Sequence, residues 1–176
     1  MPAGGLVLEI AAGAGEHAVH FAGALGHLQW QPTDADPEAL ASIAAWRQHA
    51  GLDNLLQPLR LDASKPETWP VQRADAVVAI NMIHISPWPA AEGLMAGAGR
   101  VLPSAGALFL YGPFIQAGVP TSPSNIEFDQ NLRRRNADWG IRNLEDMAVL
   151  GDAHGLSLSE ALTMPANNLV LVFRRT

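Results

Sequence analysis

Apolar residues along the chain fall into two periods, short runs suited to strands and i, i+3, i+4 recurrences suited to helices. Leu6-Val7-Leu8-Glu9-Ile10 reads as a short strand running into the glycine turn Gly13-Ala14-Gly15, after which Ala18, Val19, Phe21, Ala22 and Leu25 recur at helical spacing. Gly26 is placed to end that helix, and Gln29-Trp30-Gln31-Pro32-Thr33-Asp34 reads as a second strand finishing on a carboxylate. Asp36 as N-cap, Pro37 at the first helical position and Leu40, Ile43, Ala44 and Arg47 predict a helix that Gly51 stops.

Leu56 to Asp62 reads as strand three, and Pro58, which cannot donate to a ladder, predicts that it lies at an edge. Ala74 to Ile80 is nearly all apolar, as expected of a central parallel strand covered on both faces. Ser86-Pro87 opens a helix with Leu94, Ala98, Val101 and Leu102 on one face, against the cost of Gly93, Gly97 and Gly99. Ala107 to Gly112 is strand five. Pro113 to Asn125 has no clear period and reads as a long functional connection. Helices are expected over Glu127 to Arg135 and from Asn143 to Gly155, then an antiparallel hairpin of Leu156 to Met164 and Leu169 to Arg174. Strands alternating with helices predict an α/β, doubly wound, mostly parallel sheet with its ligand crevice at the strand ends. Residues 1–176 read as one domain without repeat or linker.

Composition narrows the class. The chain has 176 residues, 48% hydrophobic and 16% charged, enough for a sizeable core, and disorder is not expected. No apolar run reaches the length of a membrane span, and Met1-Pro2-Ala3-Gly4-Gly5 resembles no signal peptide, so no membrane association and a cytoplasmic location are expected. The absence of cysteine removes disulfides and thiolate metal sites. A net charge of -6 disfavours a nucleic-acid partner, with Arg133-Arg134-Arg135 as a local exception.

The glycine turn is the strongest chemical signal. Tight reversal after a strand leaves the amides of a helix start pointing above the strand end, where an anionic group binds. Gly13-x-Gly15-x-x-Ala18 with Asp34 about twenty residues on also fits a loose dinucleotide fingerprint. Glu9 tips the balance, because an anion on strand one would face a pyrophosphate. S-adenosyl-L-methionine has no phosphate; its carboxylate suits the loop amides, and its ammonium and sulfonium suit a carboxylate. The alternative for Glu9 is a buried cap on a neighbouring loop.

Asp34 ends strand two, where it can accept from ribose hydroxyls, and Asp62 ends strand three, where it can accept from an adenine amino group. Ala63 and His17 join Glu9, Gly13, Gly15, Asp34, Asp62 and Asn81 as the expected cofactor set. His17 and His20 are spaced i, i+3, but no third ligand is near in sequence and no metal site is expected. Asn81-Met82-Ile83-His84 follows strand four and lacks the Pro-Pro-aromatic pattern of base amino-methylating enzymes. His84 is the candidate general base for a hydroxyl or an acidic N–H; the alternative is a histidine that only bonds its own loop.

Over nearly its whole length the chain resembles the family around human methyltransferase-like protein twenty-six, class I S-adenosylmethionine-dependent methyltransferase-like proteins of unassigned substrate. The resemblance rests on Leu8-Glu9-Ile10-Ala11-x-Gly13-x-Gly15-x-His17, Trp30-Gln31-Pro32-Thr33-Asp34, Asn81-Met82-Ile83-His84-Ile85-Ser86-Pro87-Trp88, Tyr111-Gly112-Pro113-Phe114, Ser124-Asn125-x-x-Phe128-Asp129-x-x-Leu132-Arg133 and Trp139-Gly140-Ile141-Arg142. It implies a Rossmann-like seven-stranded sheet ending in a C-terminal antiparallel hairpin, and S-adenosyl-L-methionine as cofactor. Methyltransferases of this kind often carry a segment ahead of strand one that covers the cofactor; here strand one begins almost at once, and such a segment is expected to be missing.

On the acceptor side, Asn81, His84 and Tyr111 are the expected catalytic residues, converging with Asn125, Asp129 and Arg133 as the expected substrate residues. Steps of four place the last three on one helical face if the helix starts by Asn125; the alternative for Asp129 and Arg133 is a solvated pair contributing only ~0.3–0.5 kcal/mol. The first reading is therefore a methyltransferase with a small-molecule acceptor. The others are a non-catalytic cofactor-binding or interaction protein on this fold, and an NAD-linked oxidoreductase.

Overall fold

The structure, a computed structural model, describes residues 2–176. Its strands are β1 (Gly5–Ile10), β2 (Leu28–Asp34), β3 (Leu59–Arg60), β4 (Ala76–Ile80), β5 (Ala107–Gly112), β6 (Phe114–Ile115), β7 (Arg142–Asn143), β8 (Leu156–Met164) and β9 (Asn168–Arg175). The helices are α1 (Glu16–Ala24), α2 (Pro37–Ala50), α3 (Trp88–Val101), α4 (Pro123–Arg135) and α5 (Leu144–Ala153). Seven strands form one sheet in the order β3-β2-β1-β4-β5-β9-β8. β1 to β5 are parallel, and β9 runs antiparallel between β5 and β8.

β4 stands at the centre because both of its faces are apolar. Val77 and Ala79 join Leu8, Ile10, Leu108 and Leu110 beneath α3 and α5, while Ala76 and Val78 join Val7 and Trp30 beneath α1. The edge position expected for strand three holds, but its ladder is short: Pro58 cannot donate, and only Leu59 and Arg60 pair with β2. The glycines of α3 are packing devices. A Cβ at Gly93 would overlap the Ala63 carbonyl, and one at Gly97 would overlap the Trp69 ring, so the loss of helix propensity is offset by close approach.

Three local expectations need correction. α1 stops at Ala24 with Leu25 as its cap, ahead of Gly26. α4 starts at Pro123 rather than Glu127, because the Ser122 side chain caps it by accepting from the Asn125 N–H at 3.3 Å. The connection after β5 is also partly regular, since β6 pairs in parallel with β7 and ties the start of that segment to its return. Among the described residues no helix is long and apolar enough to cross a membrane.

Candidate functional site

The strand order reverses between β1 and β4, which opens a crevice beyond their carboxyl ends. β1 leads into the turn with Ala11, Gly13 and Gly15 at φ of 55°, 58° and 95°. A Cβ at Gly15 would lie 2.9 Å from the Ile43 Cα, so the turn is pressed against α2; Gly13 has open space around it. Gly15 is also the N-cap of α1 and has no side chain to cap it, leaving the amides of Glu16, His17 and Ala18 without helical acceptors. Asp34 ties β2 to this turn: its Oδ2 accepts from the Gly13 N–H and its Oδ1 from the Asp36 N–H, both at 2.9 Å. Asn81, at the end of β4, is a second non-glycine residue in left-handed backbone, with φ 54°.

A cavity of about 680 Å³ lies over the turn, walled by Gly13, Gly15, His17, Asp34, Asn81 and Trp139. Glu16 and Asp36 add further carboxylates, and neither Lys nor Arg is on this wall. It continues past Asp34, Met82 and Trp139 into a pocket of about 430 Å³ where Leu61, Asp62 and Ala63 form one side. Asp62 accepts from Ser64 Oγ at 2.7 Å and from the Ser64 N–H at 3.0 Å, and faces Lys65 Nζ at 3.2 Å. The Ser64 hydroxyl foremost, against the opposing effect of burial, holds its carboxyl below the usual aspartate value.

A third chamber, of about 560 Å³, adjoins the first at Asn81 and Ile85 and is lined further by His84, Asn125 and Phe128. His84 is only 5% exposed, with its ring against Phe128 at 5.5 Å between centroids. Burial, helped by the nearby Arg142 cation, lowers its pKa from 6.5 to about 4, so the imidazole is neutral at physiological pH. Its main-chain carbonyl accepts from the Gly140 N–H at 3.0 Å, which fixes the turn that carries it.

Not all the expected residues reach these walls. Glu9 is buried beneath the turn, where its carboxylate accepts from Trp30 Nε1 at 2.6 Å; it lines none of the three cavities and caps no loop with that bond. Burial outweighs that bond and raises its pKa from 4.5 to about 7. Tyr111 stands behind the third chamber, its hydroxyl accepting from Asn168 Nδ2 at 3.0 Å. Asp129 and Arg133 face the turn before β7: Asp129 Oδ1 accepts from the Ile141 N–H at 2.7 Å and Oδ2 from Arg133 Nε at 2.8 Å. They brace the segment over the crevice rather than line the chamber.

The walls also include residues to which the sequence assigned no role in a site. Trp139 roofs both halves of the first crevice, with the Arg135 guanidinium 5.3 Å from its ring centre. Asn167 and Asn168, read only as turn residues, stand against α4 and line the third chamber. A tryptophan beside a glycine in an otherwise polar loop, and paired asparagines in a turn, are signals too common to point to a site unaided.

A sequence model of the family described as "Protein of unknown function (DUF938)" matches residues 1–175. The chain belongs to that family. Solved structures extend the likeness of this DUF938 protein at the level of fold. An O-methyltransferase family 2 protein from Planctomyces limnophilus, in complex with apigenin, superposes with TM-score 0.84 at 18% identity over 100% of this chain and 55% of that one. An O-methyltransferase family protein from Burkholderia thailandensis gives TM-score 0.84 at 15% identity, covering 97% of this chain and 51% of that one. CalO1, a methyltransferase in calicheamicin biosynthesis in its SAH-bound form, gives TM-score 0.78 at 17% identity, covering 100% and 50%. The chain therefore has the class I methyltransferase fold and spans about half the length of these proteins.

Proposed function

We propose that this DUF938 protein is an S-adenosylmethionine-dependent methyltransferase with a small-molecule acceptor. The carrying observation is the charge of the crevice: free amides at the uncapped start of α1 face a cavity whose side walls hold Glu16, Asp34 and Asp36 and no Lys or Arg. Amides at one end suit a carboxylate, and the acidic wall suits the cationic part of the same ligand. A dinucleotide pyrophosphate would meet those carboxylates unpaired, which disfavours the NAD-linked reading. The motif resemblance to the methyltransferase-like protein twenty-six family and the fold shared with the SAH-bound CalO1 support the same cofactor.

When bound, S-adenosylmethionine supplies an electrophilic methyl group on a sulfonium. The chain's own residues divide the remaining work. The α1 amides hold the carboxylate; Asp34 retains free lone pairs for ribose hydroxyls, and Asp62 with Leu61 and Ala63 offers an acceptor and an apolar slot for adenine. His84 faces the adjoining chamber as a neutral imidazole able to take a proton from a hydroxyl or an acidic N–H. With so low a pKa it is a weak base, so alignment of the two chambers through Asn81 carries most of the rate.

Calorimetric titration with S-adenosylmethionine, S-adenosylhomocysteine and NAD tests the reading. Binding of the first two without NAD is expected; binding of NAD alone refutes it. Binding without methyl transfer to any acceptor in a broad panel would favour a cofactor-binding protein on the same fold.

A further inference from the structure

The two edges of the sheet are unlike. β3 offers only Leu59 and Arg60 to pairing, with a proline before them and a charge on the second. Such an edge takes no further strand. β8 is nine residues long, with neither Pro, Lys nor Arg and with Glu160 as its single charge. Its bulge lies between Leu158 and Glu160, where Ser159 is the extra residue. That leaves Glu160 to Met164 as a regular run paired with β9 on one side only. Among the described residues the backbone of this run bonds to nothing beyond β9, so alternate residues turn an unpaired amide and carbonyl outward.

The whole run is exposed, Leu162 at 47% and Met164 at 37%. Leu162 and Met164 share one face of the strand with Glu160, and on that face Leu162 stands beside Val170 of β9. A second copy of the chain is the occupant that fits this pattern. Antiparallel pairing of a strand with its own copy is symmetric about a two-fold axis, so the register decides which side chains meet. Centred on Leu162, the entire regular run pairs: Leu162 meets its counterpart, Ala161 meets Thr163, and Glu160 meets Met164. Val170 and Leu162 of each copy then form one apolar row across the join. Centred on Glu160, the two carboxylates would face each other and the bulge would enter the ladder. Because β3 is closed to pairing, the assembly ends at two copies instead of growing.

We propose that two copies of this chain join through β8, antiparallel and centred on Leu162, to make one sheet that runs through both. Asn167 and Asn168, which wall the third chamber, close the same hairpin, so the pairing also holds that wall in place. The run from Glu160 to Met164 is far shorter than the roughly 20–30 residues a side of a standard interface, so a dissociation constant in the micromolar range is expected.

Sedimentation equilibrium on the intact chain from about 5 to 500 µM should show monomer passing to dimer. Leu162→Lys sets two ammonium groups opposite one another and should weaken the dimer at least about tenfold, while circular dichroism shows the variant folded. The chain has no cysteine, so Leu162→Cys carries a single thiol, which a short bis-maleimide should link into dimers. Val149→Cys, at a position 72% exposed on α5, should link far less. A Leu162→Lys dimer as tight as that of the unmodified chain, or equal linking through the two thiols, overturns the proposal. So does a monomer throughout the concentration range, which would leave the edge to an extended strand from another protein.

Discussion

Glu9 and Trp30 form a buried pair on the α1 side of the sheet, the carboxylate accepting from the indole N–H at 2.6 Å. Burial holds this carboxyl at about 7 instead of 4.5, so the folded chain keeps a proton that the unfolded chain releases. Stability is therefore expected to fall as pH rises from 4.5 to about 7. His84 acts in the opposite sense: its pKa is lowered from 6.5 to about 4, and the stability it contributes is lost as pH falls through that window. The two slopes offset one another in the unmodified protein. Urea midpoints across the window should rise with pH in Glu9→Gln, which keeps an oxygen for the indole, and fall with pH in His84→Gln. Parallel profiles in both variants would show that neither group titrates as described.

Asp34→Ala is expected to weaken S-adenosylhomocysteine binding by ~1.5–3 kcal/mol, the range for hydrogen bonds to a charged group. The same change frees the Gly13 and Asp36 amides, so some folding stability should be lost as well. Calorimetry and urea unfolding separate the two effects, and an unchanged dissociation constant removes Asp34 from the site.

The two glycines of the turn should respond differently to alanine. Gly13→Ala meets no neighbour and is charged only for left-handed backbone, about 1–2 kcal/mol. Gly15→Ala adds a contact with the Ile43 backbone to the same penalty, and a loss of about 3 kcal/mol or more is expected in chemical unfolding. Equal losses would mean that α2 yields to the new methyl group.

Asp129→Ala unties the turn before β7, and the lost charged bond to the Ile141 amide should cost about 1.5 kcal/mol or more. Hydrogen exchange at Ile141 and Gly140 is the direct measure, because the Gly140 amide also holds the carbonyl of His84. If exchange there is unaltered, the brace lies elsewhere. Trp139→Ala should leave this exchange slow yet weaken S-adenosylhomocysteine binding, since the ring roofs the crevice without anchoring the turn.

The doubly wound sheet, the central β4, the edge position of β3, the capped α2 and the closing hairpin were all legible from local patterns. Each depends on interactions within a few residues: a Pro58 that cannot donate, an Asp36 that caps, a run such as Ala76–Ile80 that needs two apolar neighbours. The glycine turn and the carboxylate that ends β2 were each legible in their own local patterns; the bond that joins Gly13 to Asp34 comes from the pairing of β1 with β2. Side-chain direction was not legible. Glu9 turns inward to an indole donated by the neighbouring strand, and Asp129 turns to an amide twelve residues along, choices made by long-range packing that spacing does not encode. Trp139, Asn167 and Asn168 became wall residues only once α4 and the β8–β9 turn had folded back over the strand ends, a juxtaposition of segments distant in sequence that only the tertiary structure decides.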